Sequence, residues 1–202
     1  IESLTRGGTG GFPQSVSRDG KYLVYQRNRG SSVDLMLLPL EAGGQPRPLL
    51  ADPSFDETGG EISPNGNWIA YLSNETGRNQ VYVRPFPGVG GGSRWQVSSS
   101  DGGFSPAWSR SGRDLYFVSN SPYRLMRVAV PPGATFTHGT PKPVLDLSPW
   151  RDVLAASGRR IWDITGDGRL LMTKNSADPA NAIVVVSHWF DELRSRMGGK
   201  GQ

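Results

Sequence analysis

The chain reads as an all-β protein, a β-propeller of four-stranded antiparallel blades. Three observations predict it: a motif that recurs at regular intervals, an apolar run after each copy, and room for four strands per interval. The copies are Val16-Ser17-Arg18-Asp19-Gly20, Ile62-Ser63-Pro64-Asn65-Gly66, Trp108-Ser109-Arg110-Ser111-Gly112 and Ile164-Thr165-Gly166-Asp167-Gly168. Their glycines are spaced by 46, 46 and 56 residues. Equal spacing favours one copied supersecondary unit over a β-sandwich of unrelated hairpins.

Each copy begins with an apolar residue that ends a first strand. The Gly-terminated turn supplies a positive backbone dihedral for a tight hairpin. Second strands follow at Lys21 to Tyr25, Trp68 to Leu72, Asp114 to Val118 and Arg169 to Thr173. Third strands are expected at Val33 to Leu40, Gln80 to Phe86, Tyr123 to Val130 and Ile183 to Trp189. Fourth strands are expected at Arg47 to Leu50, Ser93 to Val97 and Pro143 to Leu147. The blades thus span about 13–50, 61–98, 104–147 and 160–190 of a single domain, 1–202. The last has room for three strands, and Ile1 to Thr5 reads as the orphan strand that completes a blade. Residues 191–202 form a short C-terminal helix and tail, the helical spacing of Trp189, Phe190, Leu193 and Met197 starting it.

Composition agrees with this reading. The chain has 202 residues, 36% of them apolar, with 27 Gly, 16 Pro and no Cys. No stretch approaches the roughly 18 apolar residues of a membrane span, so no membrane insertion by this segment is expected. The net charge is +4, from 18 Arg and 4 Lys against 18 acidic residues. The arginines are spread along all four units without a basic run or face, which argues against nucleic acid as a partner.

The recurring unit, an apolar residue, a turn such as Ser17-Arg18-Asp19-Gly20 or Ser63-Pro64-Asn65-Gly66, an apolar strand and then a strand such as Gln80-Val81-Tyr82-Val83, resembles the TolB-type propeller repeat, whose signature turn is Ser-Pro-Asp-Gly. Met126 to Val130, Gly133 to Phe136, Gly139 to Pro143 and the ending Ile183 to Leu193 are similar to the C-terminal propeller of bacterial membrane-anchored serine/threonine kinases. Where that family shows Leu-Asn-Trp, this chain has Ser187-His188-Trp189. The resemblance implies a periplasmic or extracytoplasmic location and a sensor or scaffold role; a cytoplasmic location stays open. Two ways of covering the end blades follow: one chain closing on itself, with Ile1 to Thr5 beside Ile183 to Phe190, or a homodimer of two chains joined head to tail around a two-fold axis, which the resemblance to larger propellers favours.

Catalytic chemistry is scarce. Two histidines, His138 and His188, exclude a three-histidine zinc site within one chain. Gly91-Gly92-Ser93-Arg94-Trp95 is not a nucleophile elbow. The glycine-rich stretches at 7–11 and 88–92 lack the strand-to-helix context of a phosphate cradle. One constellation remains. Five residues before the turn glycines stand Ser15, Glu61, Ala107 and Asp163. First strands line a propeller's channel, so Glu61 and Asp163 are expected at its mouth, where carboxylates could hold Ca²⁺ or another divalent cation. Asp52, Asp56, Glu57 and Asp101, in loops entering first strands, could add oxygens on the same face.

Two functions follow. One is a non-catalytic module whose channel face binds a protein, peptide or small ligand. The other is a metal-dependent hydrolase of lactones or phosphotriesters, using a metal-bound water at the channel.

Overall fold

A computed structural model describes residues 11–88, 93–151, 154, 160–173 and 183–186. The chain divides into two compact units, 1–148 and 149–202. The first unit holds three four-stranded antiparallel sheets, each in chain order. They are β1 (Gly11–Val16), β2 (Tyr22–Arg29), β3 (Ser32–Pro39) and β4 (Arg47–Leu50); β5 (Glu57–Ile62), β6 (Trp68–Ser73), β7 (Gln80–Pro85) and β8 (Trp95–Gln96); β9 (Gly103–Trp108), β10 (Asp114–Ser119), β11 (Arg124–Ala129) and β12 (Lys142–Asp146). The second unit contributes β13 (Trp162–Ile164), β14 (Leu170–Thr173) and β15 (Ile183–Val186), a three-stranded sheet among the described residues. The expected strand 1–5 and the helix over 191–202 lie outside the described residues.

The motif at each first hairpin is one type of hydrogen-bonded turn, built three times at the same length and a fourth time one residue shorter. Gly20, Gly66, Gly112 and Gly168 donate their amides to the carbonyls of Ser17, Ser63, Ser109 and Thr165. The same hydroxyls accept the amides of Tyr22, Trp68, Asp114 and Arg169. Only the glycine of each turn has positive φ, between 68° and 81°. The turn is therefore a four-residue turn closed by a left-handed glycine, not a two-residue hairpin with two such positions.

In the first unit the sheets stack face on face, and the packing explains the apolar alternation of their strands. Val24, Leu35 and Leu37 of the first sheet form one core with Ile62, Ile69, Tyr71 and Tyr82 of the second. Trp68, Leu72 and Val83 of the second form another with Trp108, Leu115, Phe117 and Val128 of the third. Close approach needs glycine at Gly60, where a Cβ would lie 2.9 Å from Val24 Cγ1 and 3.0 Å from Leu35 Cδ1. Hydrogen bonds add register: the Ile62 amide donates to Ser15 Oγ at 3.1 Å, and Trp108 Nε1 to the Glu61 carbonyl at 3.0 Å. Each first strand also carries a bulge. Gly59 and Ser105, one repeat apart, both take positive φ there.

Equivalent positions do not all share one environment. Ile62 and Trp108 are each 7% exposed, but Val16 is 55% exposed, and Ile164 is only half-buried. Repeat equivalence with Ile62 and Trp108 predicts Val16 buried between blades as they are, and the structure corrects that expectation. Among the described residues of its unit, its sheet has no preceding sheet to pack against. Tyr25, Tyr71 and Phe117 are all buried, as their matching positions predict.

Candidate functional site

Each sheet of the first unit has a turn end, carrying the Ser-x-x-Gly turns, and an entry end, where the first strand begins. Sequence reasoning placed Glu61 with Asp52, Asp56, Glu57 and Asp101 on one face. The fold separates them. Glu61 sits next to the last residue of β5, at the turn end, while Glu57 opens the same strand. Four strand steps put them about 13 Å apart at most. Asp52, Asp56 and Asp101 precede first strands and share the entry end with Glu57.

Glu61 is half-buried, and its carbonyl receives the Trp108 indole. Asp163 belongs to the second unit; its side chain is 65% exposed and its carboxylate takes its own neighbour's amide and lies 3.7 Å from an Arg160 nitrogen. Among the described residues, no group of three or more His, Asp or Glu is placed to hold a metal ion. His138 is exposed, with Nδ1 3.0 Å from the Gly139 carbonyl; His188 lies outside the described residues.

The entry end of the first and second sheets holds a different cluster. Asp34, the third residue of β3, is fully buried. A buried carboxylate needs compensation, and two arginines at the end of β2 give it: Arg27 at 3.3 Å, and Arg29 through Nε at 3.0 Å and a terminal nitrogen at 3.2 Å. Arg29 also donates to the Asp52 carbonyl at 3.3 Å, and the Asp52 amide donates to Glu57 Oε2 at 3.3 Å. Alongside, Asp56 and Asn74 exchange a reciprocal pair: the Asp56 amide donates to Asn74 Oδ1 at 2.9 Å, and Asn74 Nδ2 to Asp56 Oδ2 at 3.0 Å. The other Asp56 oxygen accepts the Val33 amide at 2.9 Å. Two hairpins and the crossover 51–56 are thereby tied into one polar rim.

Glu57 is its least expected member. It is 6% exposed. Burial pushes its carboxyl up to about 7, and the like charges of Asp52, Asp34 and Asp56 push the same way against the Asp52 amide's hydrogen bond. A carboxyl poised near neutrality in a polar cluster marks a functional-site candidate. The repeat strengthens this. At the 46-residue period, Asp56-Glu57 occupies the places of Gly10-Gly11 and Gly102-Gly103. At Gly11 and Gly103 a Cβ would stand 2.6 Å from the Tyr25 or Phe117 ring. Alignment of the repeats would have exposed this substitution; reading forward from the turns did not.

No protein-family model matches the chain, and no curated protein matches it in sequence. Solved structures do. TolB from Acinetobacter baumannii matches at 20% identity with a TM-score of 0.60, over 88% of this chain and 41% of that one. A protein assigned as TolB from Agrobacterium tumefaciens matches at 21% and 0.55, over 71% and 55%. The periplasmic gluconolactonase of Pseudomonas aeruginosa matches at 17% and 0.50, over 87% and 56%. At these identities the likeness establishes the fold, a TolB-like β-propeller architecture. The chain spans about half, or less, of the length of each.

Proposed function

We propose that this chain is a non-catalytic binding module, taking a protein, peptide or small ligand on the entry rim built by residues 28–33, 51–57 and 74–79. The observation that carries this reading is the Asp56-Glu57 pair, set where flanking repeats have glycine pairs. Repetition accounts for the turns and cores, and architecture needs no buried carboxyl at that place. The resemblance to kinase-associated propellers supports a sensor or scaffold role outside the inner membrane. The chain spans about half of the TolB proteins it resembles, and two copies around a two-fold axis would supply a ring of comparable size. Light scattering tests that arrangement, a species of 21.9 kDa across dilution arguing against it.

Amide spectra of the labelled chain, recorded against a library of short peptides and small polar ligands, test the module itself. Shifts should cluster on the entry rim. A lactone and phosphotriester assay, with and without Ca²⁺, runs in parallel. Turnover that depends on the ion and disappears in Glu61→Gln would replace the module reading with that of a metal-dependent hydrolase using Glu61 and Asp163.

A further inference from the structure

We propose that Asn65 is a deamidation site latched by its own turn: the closed second hairpin withholds it, and opening of that hairpin releases it to lose ammonia and become aspartate or isoaspartate. This stands apart from the binding reading and concerns the opposite end of the sheets.

Asn65-Gly66 is the one Asn-Gly step in the chain. The reaction needs the Gly66 amide nitrogen, deprotonated, to attack Asn65 Cγ. A nitrogen–Cγ bond closes an imide ring, the Cγ–Nδ2 bond breaks, and ammonia leaves with the proton. Water then opens the imide at either carbonyl. One opening gives aspartate, and the other gives isoaspartate, whose main chain runs through the former side chain. Space favours this at Asn65. The side chain is exposed, and a Cβ at Gly66 would meet nothing within 4 Å. Neither burial nor a neighbouring side chain keeps base or water away.

Hydrogen bonds do the withholding. The Gly66 amide donates to the Ser63 carbonyl at 2.9 Å, so the proton that must leave is held. Asn65 Oδ1 accepts the Ser63 hydroxyl at 2.7 Å and the Asn67 amide at 3.1 Å, which fixes the side chain in the turn. These contacts are anchored below the surface. Ser63 is 2% exposed, and its hydroxyl also accepts the amide of Trp68, itself buried in the core. Freeing the reacting pair therefore requires a local opening of the hairpin, and the reaction runs only from the small open population.

The other turns show what the products meet. In the first turn Asp19 Oδ1 accepts the Ser17 hydroxyl at 2.6 Å and the Lys21 amide at 3.1 Å, the same two contacts. Aspartate at position 65 thus has its place prepared. Isoaspartate adds a carbon to the main chain and breaks the glycine-to-hydroxyl-residue closure that all four turns share. Asp19-Gly20 and Asp167-Gly168 are not equivalent targets. The Ser17 and Thr165 hydroxyls hold those carboxyls below their usual range, and an ionised carboxylate repels the incoming nitrogen.

The test uses the full chain at pH 8, folded and fully denatured in urea. Protease mapping with mass spectrometry follows position 65 and separates asparagine, aspartate and isoaspartate. The folded chain should react at least about tenfold more slowly than the denatured one, and amide hydrogen exchange at Gly66 should show protection of the same order. Ser63→Ala removes the hydroxyl that holds both Asn65 and the Trp68 amide, and it should raise the rate severalfold while a thermal melt shows it folded. Ser17→Ala, the same change in the first turn, should leave the rate at position 65 unaltered. Asn65→Asp should melt within about 2 °C of the parent. Equal rates in the folded and denatured chains would overturn the proposal, as would an Asn65 that stays intact in urea. A folded Ser63→Ala variant that reacts no faster than the parent would overturn it too. If Ser63→Ala does not fold, the parent decides alone: a Gly66 amide that exchanges unprotected means that the turn is no latch. An Asn65→Asp melt far below the parent's would overturn the claim that aspartate fits the turn.

Discussion

The turn end and the entry end of the same sheets are built by opposite rules. At the turn end one hydrogen-bonding pattern, hydroxyl to amide across the hairpin and glycine amide back to carbonyl, is copied in all four repeats. At the entry end the copies diverge. The second first-strand opens on a buried carboxyl where the first and third open on glycine packed under an aromatic ring. Repetition marks what folding requires, because each hairpin needs the same closure. Departure from it marks what folding does not explain, so the more informative end is the less regular one.

The largest test of the comparison falls on the turn end. Trp108 is buried between the second and third sheets and donates its indole to the Glu61 carbonyl. Trp108→Ala should cost about 3–5 kcal/mol by chemical denaturation. Its repeat equivalent Val16 is mostly exposed, and Val16→Ala should stay within about 0.5 kcal/mol. Equal losses at the two positions would mean that Val16 also has a packing partner in solution. Next in size is Gly103→Ala. The new Cβ would stand 2.6 Å from Phe117 Cδ2, an overpacking worth about 2–3 kcal/mol. A neutral result would show that the ring can move aside, and that the glycines at 11 and 103 are incidental.

How far the sequence carried this reading follows from the same contrast. The strands were legible because the Ser/Thr-x-x-Gly turns are local: a hydroxyl side chain, a glycine and five or six residues of backbone define each one. Bounds of β3, β4 and β10 to β12 fall within one residue of expectation for that reason, while β2 runs four residues past its expected end. The candidate site was only half legible. Asp52, Asp56 and Glu57 were singled out, but counting back from the turn glycines chose Glu61 and Asp163. That count finds equivalent positions without saying at which end of the strand a polar cluster assembles. Arg27, Arg29 and Asp34 were missed altogether. Asp34 looks like any alternation break in Ser32-Val33-Asp34-Leu35, and its burial depends on two arginines brought back by the hairpin. The bulges at Gly59 and Ser105 were also hidden, since Ser105 gives no local sign of a positive φ.

Glu57 sharpens the comparison through pH. Its folded carboxyl titrates near 7 against 4.5 for the ordinary group, so the folded state holds the proton more tightly. The neutral carboxyl's stabilisation is complete below about pH 4.5 and is lost as pH rises through 7. Glu57→Gln removes that loss. At pH 8 the variant should be more stable than the parent by on the order of 1–2 kcal/mol, with the difference closing below pH 4.5. Denaturant midpoints at pH 4, 6 and 8 check it. Parallel pH profiles for parent and variant would mean that Glu57 is not held neutral by its surroundings, and the case for its special place at the entry end would weaken accordingly.

The smallest effect concerns the copied turns and asks whether they are energetically as alike as they are geometrically. Ser63 Oγ accepts the Trp68 amide at 3.0 Å and donates to Asn65 Oδ1 at 2.7 Å. Ser17 accepts the Tyr22 amide at 3.0 Å and donates to Asp19 Oδ1 at 2.6 Å. Ser63 is the more deeply buried of the two, and its turn sits beside the core that Trp68 enters. Removing a hydroxyl that closes two local bonds costs about 1 kcal/mol, and more where the stranded amide cannot reach water. Ser17→Ala should therefore cost about 0.5–1 kcal/mol and Ser63→Ala about 1–2 kcal/mol, read from denaturation curves of unchanged slope. The Ser17 acceptor is charged, and Asp19 is held below its usual carboxylate range chiefly by that hydroxyl. Asp19 is exposed, so water and salt screen the advantage and burial decides the order. If Ser17→Ala proved the costlier, the turns would be stabilised by the charge of their third residue rather than by the closure they share, and the regularity of the turn end would be one of shape alone.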